Sequence, residues 1–215
     1  MRVWMGLFLW VHAAFAYEIK TLSESPRIYW IADLLTPAQC DSIVSQAKPE
    51  LKRSTVLGNA QEGDIDPRRT SYGMFFPSNP TNPTLKFLER QASDLTKLPI
   101  ANGEGLQVLR YGTGGEYQPH YDYFLPSQPG GVETLRRGGQ RVATLIVYLN
   151  EPEEGGETIF PIAKISVTPK KGSAVLFYNV TEDGVEDEKS FHGGAPVIKG
   201  EKWIVTKWVR TNTFR

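Results

Sequence analysis

Residues 106–124 read Leu-Gln-Val-Leu-Arg-Tyr-Gly-Thr-Gly-Gly-Glu-Tyr-Gln-Pro-His-Tyr-Asp-Tyr-Phe, two short runs, Leu106–Tyr111 and Tyr117–Phe124, split by a glycine-rich turn. Runs of this length bounded by Gly or Pro predict strands. The texture continues to the C-terminus. Arg141–Leu149, Glu157–Phe160, Ile165–Thr168, Ala174–Phe177, Ser190–Pro196 and Lys202–Val209 read as further strands, most of them separated by turns. Upstream the pattern differs. Tyr29–Leu34 reads as a strand, Thr36 caps a helix that Pro37 opens and that runs to about Ala47, and Leu85, Leu88 and Leu95 mark a second helix over Thr84–Thr96. About eight strands behind a helical N-terminal third predict a mainly β (α+β) fold, a jelly roll or double-stranded β-helix with supporting helices. The polar segments Gly58–Arg69 and Pro126–Gly139 are expected to be loops, the second long enough to act as a lid.

A length of 215 residues suits one domain, and 40% hydrophobic with 22% charged residues is ordinary for a globular chain. The 24 basic and 24 acidic side chains cancel, so no global field favours nucleic acid or an anionic membrane. Residues 1–16 stand apart: Arg2 precedes a stretch, Val3–Ala16, that is apolar except for His12 and closes on Ala14-Phe15-Ala16. This pattern predicts a signal peptide cut before Tyr17, with a short uncleaved anchor as the alternative, a catalytic domain over 17–215, and a place in the secretory pathway, in the endoplasmic reticulum lumen. The lone Cys40 has no internal disulfide partner and is expected to be a small buried residue. Asn179-Val180-Thr181 has the form of a glycan acceptor.

Outside the N-terminal segment only two histidines remain, His120 and His192. In a strand, residues two apart share a face, so His120 and Asp122 can converge on one point. Two imidazoles and a carboxylate form a facial triad that leaves metal positions open, as in non-heme Fe(II) oxygenases; His-x-Asp alone is equally a structural pair. His192 is followed by Gly193-Gly194, which allow close backbone approach. Alternation places Lys202 with Ile204, Thr206 and Trp208. A lysine on an inner barrel face needs an anion; on a solvated face it needs none.

Further segments complete a pattern: Arg69–Phe75, Leu109-Arg110-Tyr111, Tyr117–Phe124, Gly138–Thr144, Gly155-Gly156-Glu157-Thr158-Ile159-Phe160-Pro161, Pro169-Lys170-Lys171-Gly172 and His192–Trp208. In this order they resemble the prolyl 4-hydroxylases of the collagen and plant/algal type over nearly the whole of 17–215. The resemblance implies an Fe(II)- and 2-oxoglutarate-dependent dioxygenase that hydroxylates C4 of peptidyl proline and releases succinate and CO2, with O2 as co-substrate and ascorbate as reductant. It implies that His120, Asp122 and His192 ligate iron, and that Lys202, helped by Tyr111 and Thr158, holds the C5 carboxylate of 2-oxoglutarate. The peptide groove falls on Arg69, Ser71, Glu104, Arg141 and Trp208, with Gly58–Ser71 and Pro126–Gly139 closing over the peptide. Ala195 stands where some relatives carry cysteine. With no recognisable partner-subunit segment, a monomer acting on proline-rich or collagen-like polypeptide is expected, with a lean toward extended proline-rich chains. Three competing readings are a 2-oxoglutarate hydroxylase of another protein residue, a zinc hydrolase, and a non-catalytic module for proline-rich peptide. Lys202 weighs against relatives that use arginine for the C5 carboxylate.

Overall fold

The computed structural model describes residues 17–54, 68–77, 80–128 and 130–214. The chain opens on a hairpin of β1 (Ile19–Glu24) and β2 (Arg27–Ile31) and continues through α1 (Pro37–Ala47), β3 (Lys52–Arg53), β4 (Tyr72–Phe75) and α2 (Pro83–Thr96). Next come β5 (Gln107–Tyr111), β6 (Tyr117–His120), α3 (Gly131–Arg136) and β7 (Arg141–Tyr148). The remainder is β8 (Glu154–Gly155), β9 (Thr158–Phe160), β10 (Ile165–Val167), β11 (Ala174–Tyr178), β12 (His192–Gly194), β13 (Val197–Lys199) and β14 (Lys202–Arg210).

Eight strands form one sheet in the order β1-β2-β11-β7-β14-β5-β4-β3, and four form a second in the order β10-β9-β12-β6; β8 and β13 pair separately. From β5 onward the chain crosses repeatedly between the sheets, with β5, β7, β11 and β14 in the large one and β6, β9, β10 and β12 in the small one. This is the expected jelly roll.

The large sheet is covered on both faces. Its outer face (Val108, Leu145, Val147, Leu176, Trp203, Val205) packs on Cys40, Ile43 and Ala47 of α1 and Leu85, Leu88 and Ala92 of α2. A helix of eleven residues is marginal in water by itself, so this apolar stripe is what holds α1 in place. The inner face (Leu109, Tyr111, Ile146, Tyr148, Val175, Phe177, Ile204) meets Phe160 and Val167 of the small sheet. Strand β14 lies between the two cores and is buried at every position.

The structure adjusts several expectations. The first expected strand lies earlier, at Arg27–Ile31, because Asp33 takes a positive φ and turns the chain so that Leu34 and Leu35 enter the core. The second helix begins one residue sooner, on Pro83, with the Asn82 carboxamide oxygen accepting from the Thr84 and Leu85 amides. The expected strand Tyr117–Phe124 ends at His120. Segment 126–139 carries the short helix α3. Strands β1, β3, β4, β8 and β13 have no counterpart among the expected strands. β1 is largely exposed and has no apolar alternation to reveal it. The expected signal segment, residues 1–16, and most of the expected loop from Gly58 lie outside the described residues. Cys40 is buried, as expected.

The start of α1 is set by a reciprocal cap: the Gln39 amide donates to Thr36 Oγ1 at 3.3 Å, and the Thr36 amide donates to Gln39 Oε1 at 2.8 Å. Thr36→Ala is expected to cost about 1 kcal/mol, lowering the thermal midpoint by about 2–4 °C in a chain of this size. Differential scanning calorimetry checks this, and an unchanged midpoint would show that packing alone sets the helix start.

Candidate active site

Strands β6 and β12 pair with His192 opposite His120, so the two imidazoles stand side by side with centroids 4.5 Å apart. Gly193 makes this approach possible. A Cβ there would sit 2.8 Å from the Tyr117 carbonyl oxygen and 3.0 Å from the Pro119 nitrogen. Each ring is fixed by its own backbone: Nδ1 lies 2.9 Å from the carbonyl of the residue two before it, Gln118 for His120 and Ser190 for His192. A carbonyl only accepts, so Nδ1 carries the proton and Nε2 presents its lone pair inward. Asp122 lies in the bend just past β6 and closes the group, with Nε2 of His120 3.7 Å from Oδ1 and Nε2 of His192 3.6 Å from Oδ2. One donor atom from each residue falls within 4.8 Å of the others, a spacing that fits one metal ion.

Asp122 is 6% exposed and held by donors. Its Oδ2 accepts from the Thr144 hydroxyl at 2.7 Å and the Trp208 indole at 2.9 Å, while Arg141 stands 3.7 Å from Oδ1. Burial by itself would raise its pKa, but the histidines and Arg141 outweigh it and keep the carboxyl well below the usual carboxylate range. Burial pushes the His192 imidazole down to about 4, with Asp122 opposing. An ionised carboxylate beside a neutral imidazole is the protonation state a metal requires.

Across the same pocket lies Lys202, 3% exposed, opposite Tyr111 in the β14–β5 register, with Nζ 5.8 Å from the ring centres of Tyr111 and Tyr148. Among the described residues no carboxylate comes within ion-pair distance. Burial pushes its ammonium down to about 8, with Glu157 opposing. Thr158 lines the pocket and its Oγ1 accepts from the Tyr148 hydroxyl at 2.8 Å. The alternation expected for β14 holds, since Lys202, Ile204, Thr206 and Trp208 all line the pocket.

The pocket thus brings together His120, Asp122, His192, Lys202, Tyr111, Thr158, Arg69 and Trp208. Ser71, Glu104 and Arg141 are not part of that lining. Ser71 is buried against Ser54, its hydroxyl donating at 2.9 Å. Both Glu104 oxygens are taken, by Nε and a terminal nitrogen of Arg141 at 2.6 and 2.9 Å and by Nε of Arg210 at 2.7 Å. The Arg141 guanidinium lies 4.1 Å over the Trp208 ring. Tyr121 and Tyr123 stack on each other beside the group and do not line it. Sequence reasoning missed Thr144, Ile146 and Tyr148, although the register puts them opposite Trp208, Thr206 and Ile204. The signal was there: a lone Thr inside the apolar run 142–149 at a spacing of two from Ile146.

The chain is similar to several known proteins. The family model described as the 2OG-Fe(II) oxygenase superfamily matches residues 106–210. Prolyl 4-hydroxylase 1 of Arabidopsis thaliana is 41% identical over 209 residues, covering 89% of this chain and 71% of that protein. Prolyl 4-hydroxylase 5 of the same plant is 39% identical over 217 residues, 92% of this chain and 72% of its own. Among solved structures, the 2OG complex of the viral collagen prolyl hydroxylase from Paramecium Bursaria Chlorella virus-1 superposes with a TM-score of 0.67 at 28% identity, over 85% of this chain and 95% of that one.

The two glycines after His192 separate cleanly by experiment. Gly193→Ala forces its methyl into the β6 backbone and is expected to destabilise the metal-free protein by about 1–3 kcal/mol. Gly194→Ala meets only ordinary contacts, the nearest being Lys202 Nζ at 3.7 Å, and is expected to stay within about 0.5 kcal/mol. Urea titrations of both variants provide the measurement; equal losses would mean that β6 and β12 are not packed this closely.

Proposed function

This chain belongs to the prolyl 4-hydroxylases and is an Fe(II)- and 2-oxoglutarate-dependent enzyme that 4-hydroxylates peptidyl proline; from that premise we propose that its substrates are extended proline-rich polypeptides and that the pocket described above is where it acts. The observation that carries the site reading is a buried lysine with no carboxylate in ion-pair distance among the described residues, at one end of a pocket whose other end holds two imidazoles and a carboxylate. In this reading His120, Asp122 and His192 hold Fe(II), and Lys202, with the Thr158 hydroxyl and the Tyr111 phenol, holds the far carboxylate of 2-oxoglutarate. Fe(II) with 2-oxoglutarate supplies the oxidising chemistry: O2 is divided between succinate, formed with CO2 from 2-oxoglutarate, and the new hydroxyl at C4 of proline.

The protein's own contribution is placement and exclusion of water. Trp208 and Thr144 donate to Oδ2 of Asp122 and leave Oδ1, with Arg141 3.7 Å away, as the oxygen that would be offered to the metal. Glu104 holds Arg141 against the Trp208 face, so Glu104 shapes the peptide groove through Arg141. Arg69 lies 5.0 Å from the Tyr117 ring, which stacks on His120 at 3.7 Å. The His120 side chain is 21% exposed and that of His192 5%, so the peptide approaches from the His120 side, along aromatic faces of Tyr117 and Trp208. Aromatic walls suit the preformed polyproline II conformation, which is the support for proline-rich substrates. The reading extends to a monomer that works in the endoplasmic reticulum lumen with ascorbate as reductant. Its support is the apolar N-terminal segment and the family resemblance, and a tagged full-length chain retained in the cytosol would overturn the location.

The primary test is succinate formation by residues 17–215 with Fe(II), 2-oxoglutarate and ascorbate, with and without poly-proline or a collagen-like repeat peptide, followed by mass spectrometry of the peptide. Peptide-dependent succinate with one added oxygen on proline, greater for poly-proline, is expected; preference for the collagen-like repeat would overturn the substrate reading. The Lys202 pairing predicts a pH dependence. Below about pH 8 the ammonium is charged and ready for a carboxylate; above it, binding must first take up a proton. The KM for 2-oxoglutarate is therefore expected to be flat on the acid side and to rise toward about tenfold per pH unit on the alkaline side. Lys202→Arg stays charged throughout and is expected to abolish that rise, even where its bulk raises KM at every pH. A rise that survives in Lys202→Arg would assign it to another group.

A further inference from the structure

Asn179 follows β11, where the pairing of Phe177 with Thr144 brings it alongside β7. Its backbone is pinned at both ends: the amide donates to the Val142 carbonyl at 2.8 Å, and its carbonyl accepts from the Asp187 amide at 3.0 Å. The side chain is fully buried and its Nδ2 donates to Thr144 Oγ1 at 3.0 Å. Thr144 in turn donates to Asp122 Oδ2 at 2.7 Å.

The direction of this relay matters. A hydroxyl has one proton and two lone pairs. With Nδ2 of Asn179 donating into a lone pair of Thr144, the Thr144 proton is committed to Asp122. Turned over, the carboxamide would offer Oδ1 and compete for that proton. We propose that Asn179 is a positioning residue of the iron site: it commits the Thr144 hydroxyl to Oδ2 of Asp122 and so reserves Oδ1 for the metal. A second consequence concerns Asn179-Val180-Thr181. The acceptor nitrogen lies on a fully buried side chain against Thr144, with no path to solvent for a sugar, and Thr181 Oγ1 accepts from the Val185 amide at 3.2 Å. A glycan on Asn179 is incompatible with this site, so the triplet is a structural element of the folded enzyme and not a modification site.

The inference rests on the iron reading above, and Co(II) binding without 2-oxoglutarate separates the two. Titration calorimetry and the Co(II) d–d absorption are followed for the parent, His192→Ala, Asn179→Ala, Thr144→Val and the double variant. Loss of a hydrogen-bonding partner behind a ligand weakens metal binding by about ten- to a hundredfold. Thr144→Val is expected in that range, Asn179→Ala at about tenfold, each with a shifted d–d band. The double variant is expected to bind no more weakly than Thr144→Val alone, because Asn179 acts only through Thr144. Purely structural roles would lower unfolding midpoints and multiply the two losses. Should Asn179→Ala fail to fold, Asn179→Asp preserves the shape, reverses the demand on Thr144 and is expected to weaken Co(II) similarly. Parent-like Co(II) affinity in an Asn179 variant, or multiplied losses in the double variant, overturns the inference. A parent that binds Co(II) no better than His192→Ala overturns the iron reading instead.

Discussion

A carboxylate inside a protein must be met by donors or cations, because an ion moved out of water without them costs several kcal/mol. Asp122 imposes that demand, and much of the surrounding structure answers it. Thr144 and Trp208 are register partners on adjacent strands, so one pairing of β7 with β14 brings both donors to the same oxygen. Arg141 adds charge at the other oxygen and is held there by Glu104. Glu104 is shared with Arg210, whose guanidinium also donates to the carbonyls of Thr134 and Gly139 at the end of α3. The short helix α3 is thus tied through three ion pairs, Arg210–Glu104, Glu104–Arg141 and Arg141–Asp122, to the Asp122 carboxylate. A change in any member leaves a buried charge short of a partner, which is worth about 3–5 kcal/mol when a whole partner is lost.

The site is divided between the two sheets. The large sheet supplies Lys202, Tyr111, Thr144 and Trp208, and the small sheet supplies both histidines and Thr158. Neither sheet has a complete site, so the jelly roll must close before the chemistry exists. The large sheet buries its other face under α1 and α2. The helices take no part in the pocket lining; they free the inner face of β14 to carry polar residues.

The sequence disclosed the parts of the site that depend on alternation and composition. Two histidines, one His-x-Asp and a lysine in register with Thr206 and Trp208 marked the residues that the pocket brings together, while their roles came from the family resemblance. The prediction for Asp122 reached the right place by an incomplete route: the strand stops at His120, and a bend, not strand alternation, carries Asp122 inward. What stayed hidden depends on pairing between strands far apart in the chain. Nothing local says that Asn179 lies against Thr144, 35 positions away, or that Glu104 lies between Arg141 and Arg210. The family resemblance implied Glu104 as a groove residue; its oxygens prove to be occupied by Arg141 and Arg210.

Two lysines on one strand show what distinguishes a functional charge from a structural one. Lys202 and Lys207 are both 3% exposed, and burial lowers the pKa of each. Lys207 faces the helices, where Glu89 of α2 forms an ion pair with it and the Glu104 carbonyl accepts from it. Its cost of burial is met within the fold, and its role ends there. Lys202 faces the pocket, where among the described residues two aromatic rings and a distant Glu157 offset the same cost. A strand that can pair one lysine fully does not leave the other so exposed to desolvation for want of acidic residues. An anion from outside would restore the balance, and in the proposed reading a cosubstrate with a carboxylate at each end does so while its other end meets the group around Asp122. Binding energy for the cosubstrate and the stability withheld from the fold at Lys202 are then two views of one interaction.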